Sequence, residues 1–73
     1  MKKQKTMSLI EMIHYGMTQE GLISENWRVK IDNIDEQGVN SAYIYVNAYE
    51  PNKRKPSFMY RIAYDIPRNE ITI

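Results

Sequence analysis

The sequence has no cysteine. That excludes a disulfide staple and a thiolate metal centre, and it fits a reducing compartment. Histidine occurs once, at position 14, and the acids are scattered, so no set of three or four metal ligands stands at a recognisable spacing. The three glycines, Gly16, Gly21 and Gly38, lie too far apart for a phosphate-cradling loop. Asp32, Asp35 and Glu36 lack the twelve-residue pattern of a calcium loop and are better explained by turn chemistry. No apolar run approaches the ~20 residues that a membrane-spanning helix needs.

What is present is a short chain of 73 residues, 42% hydrophobic and 26% charged, with six tyrosines and five methionines. Those values argue against global disorder and for one small domain spanning residues 1–73. A domain of this size buries only roughly 60% of its unfolded surface, so its core is thin. Methionine fills irregular gaps in such a core, and three of the five fall on or near the first periodic segment.

The net charge of +1 conceals an asymmetry. Lys2, Lys3 and Lys5 make the start basic; Glu11 to Glu50 is strongly acidic; Lys53, Arg54, Lys55, Arg61 and Arg68 make residues 51–68 basic again. The first five residues are charged like the start of a secretion signal. Ser8, Glu11 and His14 break the segment that follows, and it has no small-residue cleavage site. A cytoplasmic protein with a flexible basic tail over residues 1–7 is expected.

From Ser8 to Gly21 the apolar residues Leu9, Ile10, Ile13 and Met17 recur at helical spacing. Ser8 and Glu11 form an S-x-x-E capping box, and Gly21 suits the left-handed position just past a helix end. Gly16 costs about 1 kcal/mol inside a helix relative to alanine and would permit close approach to a sheet. On this helix, residues 8–21, His14 falls at the boundary of the apolar stripe, where a hydrogen-bonded structural ring is expected.

From Glu25 onward the period is two. Trp27, Val29 and Ile31 alternate with Arg28, Lys30 and Asp32; Ala42, Ile44, Val46 and Ala48 alternate with Tyr43, Tyr45, Asn47 and Tyr49; Tyr60, Ile62, Tyr64 and Ile66 alternate with Met59, Arg61, Ala63 and Asp65. A turn at Asp35 to Gly38 and a proline-bracketed loop, Glu50 to Ser57, separate these runs. A first hairpin centred on the Glu36–Gln37 peptide would pair Ile31 with Ala42, Val29 with Ile44 and Trp27 with Val46. A second centred near Arg54 would pair Ala48 with Tyr60, Val46 with Ile62 and Ile44 with Tyr64. Both put Trp27, Val29, Ile31, Ile44, Val46 and Ile62 on one face, as a sheet requires. The expected fold is α+β: one N-terminal helix packed on one face of an antiparallel β-meander over residues 25–73. The meander has three strands, or four if Glu70 to Ile73 pairs at an edge.

The same registers define the opposite face. They predict rows Lys30–Tyr43–Asp65, Arg28–Tyr45–Ala63 and Asn26–Asn47–Arg61, with Tyr49 beside Met59. Tyrosine is favoured on solvated sheets in any case, and cross-strand Tyr–Arg pairs stabilise them. Tyrosine, arginine and methionine are also the types enriched at protein interfaces. Arg28, Tyr43, Tyr45, Tyr49, Met59 and Arg61 therefore form a candidate protein-docking surface. The chain reads as a non-enzymatic inhibitor, adaptor or regulator of the compact bacterial or phage-like kind, with self-association as a homodimer one form of docking. The alternative is a small nucleic-acid-binding protein. There Tyr43 and Tyr45 would stack bases while Lys30, Lys53, Arg54, Lys55 and Arg61 meet phosphates. No catalytic residue, cofactor, metal or membrane association is expected from the sequence.

Overall fold

The computed structural model of the chain describes residues 7–73. Apart from Met7, the expected basic tail lies outside the described residues. The capping box forms: the Ser8 amide donates to Glu11 Oε1 at 2.8 Å, and the Glu11 amide donates to Ser8 Oγ at 3.2 Å. These bonds satisfy first-turn donors that have no partner within the helix. The helix α1, Leu9–Gln19, follows, with Ile13 and Met17 fully buried. It ends in a left-handed Gly21, φ +77°, with the Leu22 amide donating to the Met17 carbonyl and the Gly21 amide to the Thr18 carbonyl. Those two bonds are the Schellman termination. Eleven residues is marginal for a helix alone in water, so packing must hold it.

Four strands follow: β1, Arg28–Glu36; β2, Ser41–Tyr49; β3, Phe58–Asp65; and β4, Glu70–Thr72. They make one antiparallel sheet in the order β1-β2-β3-β4, a meander, with α1 lying across one face against β1 and β4. The fold is thus the expected α+β arrangement, and the fourth strand is present. Its turn is held by the Tyr64 hydroxyl donating to Asn69 Oδ1 at 2.6 Å, with Asn69 itself in the left-handed region at φ +54°.

Both hairpin registers differ from those expected. Val29 pairs with Ala48 rather than Ile44, and Ile31 with Val46 rather than Ala42, because β1 runs through to Glu36 and the reversal is made at Gln37–Asn40. Gly38 supplies the positive φ there, +116°, and the Gln37 amide donates to the Ser41 carbonyl. Trp27 stands just before the strand, its ring centre 6.0 Å from that of Phe58. In the second hairpin Val46 pairs with Tyr60 rather than Ile62 and Ile44 with Ile62 rather than Tyr64. Phe58 joins the strand opposite Ala48, and the Ser57 amide closes the loop on the Ala48 carbonyl at 2.7 Å. Up to Ile31 in β1, and throughout the second hairpin, both slips are even, so the side chains keep their faces.

Between Ile31 and Asn33 the ladder carries a bulge that leaves Asp32 unpaired. The extra residue reverses the alternation beyond it, so Ile34, opposite Ile44, lies on the helix-facing side together with Ile31. It is nonetheless 47% exposed, past the reach of α1. The core lies between α1 and β2: every inward residue of β2, Ala42, Ile44, Val46 and Ala48, is buried, with Ile13, Met17, Ile23 and Ile62. Leu22, Trp27, Phe58, Tyr60 and Ile71 close its rim. A Cβ on Gly16 would lie 3.1 Å from Ile73 Cδ1, so the glycine lets α1 approach the chain beyond β4.

Candidate functional site

The face opposite α1 has no second layer among the described residues, and the molecule is 19 Å thick along its shortest axis. Its rows follow from the observed pairings. Arg28 stands opposite Tyr49; Lys30, Asn47 and Met59 form the next row; Asn33, Tyr45 and Arg61 the next; then Asp35, Tyr43, Ala63 and Thr72; and last Ser41, Asp65 and Glu70. The expected rows are therefore replaced. Tyr43 neighbours Asp35 and Ala63, not Lys30 and Asp65; Tyr45 neighbours Asn33 and Arg61, not Arg28 and Ala63; Tyr49 neighbours Arg28, while Met59 sits beside Asn47. The cause is a first turn placed two residues later in the chain, at Gln37–Asn40, and the bulge, which together move β1 along β2.

Six residues expected on this face, Arg28, Tyr43, Tyr45, Tyr49, Met59 and Arg61, are on it, with the three tyrosines half-buried by their neighbours. Two of the tyrosines carry cations. The Arg61 guanidinium carbon is 4.4 Å from the centre of the Tyr43 ring. Over Tyr49 stand the Arg28 guanidinium at 5.1 Å and the Lys30 ammonium at 5.6 Å. The ring quadrupole attracts such cations by about 0.5–1 kcal/mol each at exposed sites and restricts both partners. Among the described residues no cation lies over the ring of Tyr45, between these stacks.

Arg28 also donates to the Lys53 carbonyl, tying the 50–57 loop to the start of β1. Lys53, Arg54 and Lys55 are exposed on that loop, so the basic run lies at the Tyr49 end of the sheet. The other end bears Asp35, Asp65 and Glu70. Arg68 reaches Asp65 at 4.0 Å in an exposed ion pair, and its amide donates to Asp65 Oδ1. The face is electrically polar along its length: positive at one end, negative at the other, with tyrosines and Met59 between. Asn33, Asp35 and Asn47 belong to this face although their residue types gave no reason to select them. Only the bulge puts Asn33 and Asp35 there. Asn47 Oδ1 is buried and, among the described residues, without a hydrogen-bond partner in the row between Lys30 and Met59.

His14 is on the other side of the molecule. Its Nε2 lies 2.8 Å from the Trp27 carbonyl, and since a carbonyl only accepts, Nε2 carries the proton. The ring thus links α1 to the residue preceding β1, as its boundary position led us to expect. Beside it, an open groove of about 770 Å³ runs between α1 and β1, lined by Ile10, Tyr15, Glu25 and Val29 among others. Among the described residues no three of His, Asp and Glu gather as a metal site would need, and no helix is long and apolar enough to cross a membrane.

No protein-family model, no curated protein and no solved structure matches this chain.

Proposed function

We propose that the chain is a non-enzymatic docking protein that binds another protein through the uncovered sheet face. The observation that carries this reading is the row of Tyr43, Tyr45 and Tyr49 on a central strand, two of them held by Arg61, Arg28 and Lys30 and flanked by a Met59 that is 59% exposed. Tyrosines already restrained lose little side-chain freedom when a partner covers them, and tyrosine, arginine and methionine are the types that bind at interface centres. The charge polarity of the face matches a protein surface of mixed sign.

Nucleic acid is the less favoured reading. Its backbone calls for a continuous positive track, whereas Asp35, Asp65 and Glu70 occupy one end of this face. The cations over Tyr43 and Tyr49 also occupy ring surfaces on which bases would stack. The Lys53–Lys55 loop, anchored beside Tyr49, is the feature that speaks for it.

Two measurements test the proposal together. Partners co-purifying with tagged wild-type chain should be lost with Tyr45→Ala and kept with Val39→Ser, a change at an 87% exposed loop residue away from the sheet face. Retention of every partner by Tyr45→Ala removes the face from the function. Fluorescence anisotropy of labelled single-stranded DNA, duplex DNA and RNA, titrated over salt, should show no binding below about 10 μM. Tighter binding with a log–log salt slope near −2 to −4 would replace protein docking by the nucleic-acid reading.

A further inference from the structure

The strand β1 is an edge of the sheet and, at nine residues, a long one; the opposite edge, β4, has three. A long unpaired edge presents backbone donors and acceptors to any second strand. The sequence of β1 is unusual for such an edge because its charge changes sign along it. Arg28 and Lys30 stand before the bulge, and Asp32, Asp35 and Glu36 at or after it. Read in opposite directions, the two halves complement each other. We propose that β1 pairs antiparallel with β1 of a second copy of this chain, joining two four-stranded sheets into one of eight strands.

The bulge limits the register. Two strands related by a twofold axis normal to the sheet must oppose residues that share a face. Before the bulge the helix-facing residues are Val29 and Ile31; after it they are Ile34 and Glu36. One register that satisfies this and joins opposite charges sets Lys30 against Asp35 of the second copy and Ile31 against its Ile34, each twice, with the axis at the Asp32–Asn33 peptide, and it is the one proposed. Arg28 is then diagonal to the second copy's Asp35, within reach for a long side chain. Ile34, 47% exposed beyond the end of α1, gains apolar neighbours on the helix-facing side. An edge bulge ordinarily guards against pairing by twisting the strand. Here it sits on the axis, so it interrupts the new ladder only at its centre. It is also the reason Ile31 and Ile34 are on the same face.

The consequence bears on the outer surface. In the joined sheet both tyrosine faces point the same way, doubling the docking platform. The inference does not depend on that reading, since it rests on the edge, the bulge and the charges of β1.

Sedimentation equilibrium of the full chain tests it. Wild type should dimerise with a Kd on the order of 10–100 μM, as befits a small interface. Lys30→Asp and Asp35→Lys each place two like-charge pairs in the dimer and should weaken it by about tenfold or more. The double variant Lys30→Asp/Asp35→Lys restores opposite charges and should return to within about threefold of wild type. An equimolar mixture of the two single variants should dimerise as the double variant does. A wild-type chain monomeric to about 1 mM overturns the proposal. So does a dimer that neither single variant disturbs, or one that the double variant fails to restore. Tyr45→Ala should dimerise as wild type does, so loss of docking and loss of dimerisation report on separate surfaces.

Discussion

The Arg61 guanidinium lies over the Tyr43 ring at 4.4 Å, reaching diagonally from a position opposite Tyr45. The contact orders two exposed or half-exposed side chains at the middle of the uncovered face. Its worth is measurable by a double-mutant cycle with Arg61→Ala and Tyr43→Leu in urea unfolding. The coupling energy should be about 0.5–1 kcal/mol, and Tyr43→Phe, which keeps the ring, should retain it. A coupling indistinguishable from zero would mean that the pair does not rigidify the face.

The ends of α1 depend on single residues. Ser8→Ala removes the oxygen that accepts the Glu11 amide and should cost about 1 kcal/mol. Gly21→Ala places a side chain at φ +77° and should cost roughly 1–2 kcal/mol, although no atom crowds the site. In a domain of this size each kcal/mol lowers Tm by about 4–8 °C, which thermal unfolding by circular dichroism resolves. Unchanged melting for either variant would place the stability of α1 wholly in its packing.

Gly16 is constrained by what it touches. Two methyl groups on its Cβ would press on Ile73 and Ile71, so Gly16→Val should destabilise by about 1–3 kcal/mol. Shortening Ile73 to Ala in the same chain should recover part of that loss. If Gly16→Val unfolds at the same urea concentration as wild type, α1 does not rest on the chain at β4.

The two faces of β2 should separate stability from binding. Ile44→Ala leaves a cavity at a fully buried site and should cost about 2–5 kcal/mol. Tyr45→Ala, one residue on and facing out, should cost far less while abolishing partner capture. Equal destabilisation by both would place Tyr45 in the fold rather than in an interface.

Much of this architecture is local and therefore readable along the chain. The capping box at Ser8 and Glu11, the glycine stop at Gly21 and the alternation of Ala42 to Tyr49 each depend on residues within a few positions of one another. The sides taken by the tyrosines were legible for the same reason, because β2 has no bulge and its period of two survives any even slip of its neighbours.

The rows across the sheet were not legible. They depend on where β1 stops, on a turn at Gln37–Asn40 rather than at Asp35–Gly38, and on Asp32 dropping out of the ladder. Many registers place the same apolar residues inward, and the choice among them is made by three-dimensional packing: Ile44 against Ile62, Val46 against Tyr60 and Ile13 and Met17 above them. The outward residues of β2 and β3 therefore follow from the amino-acid order alone. Which tyrosine meets which cation, and which isoleucine is left uncovered at the edge, follows from how strands far apart in the chain come to rest against one helix.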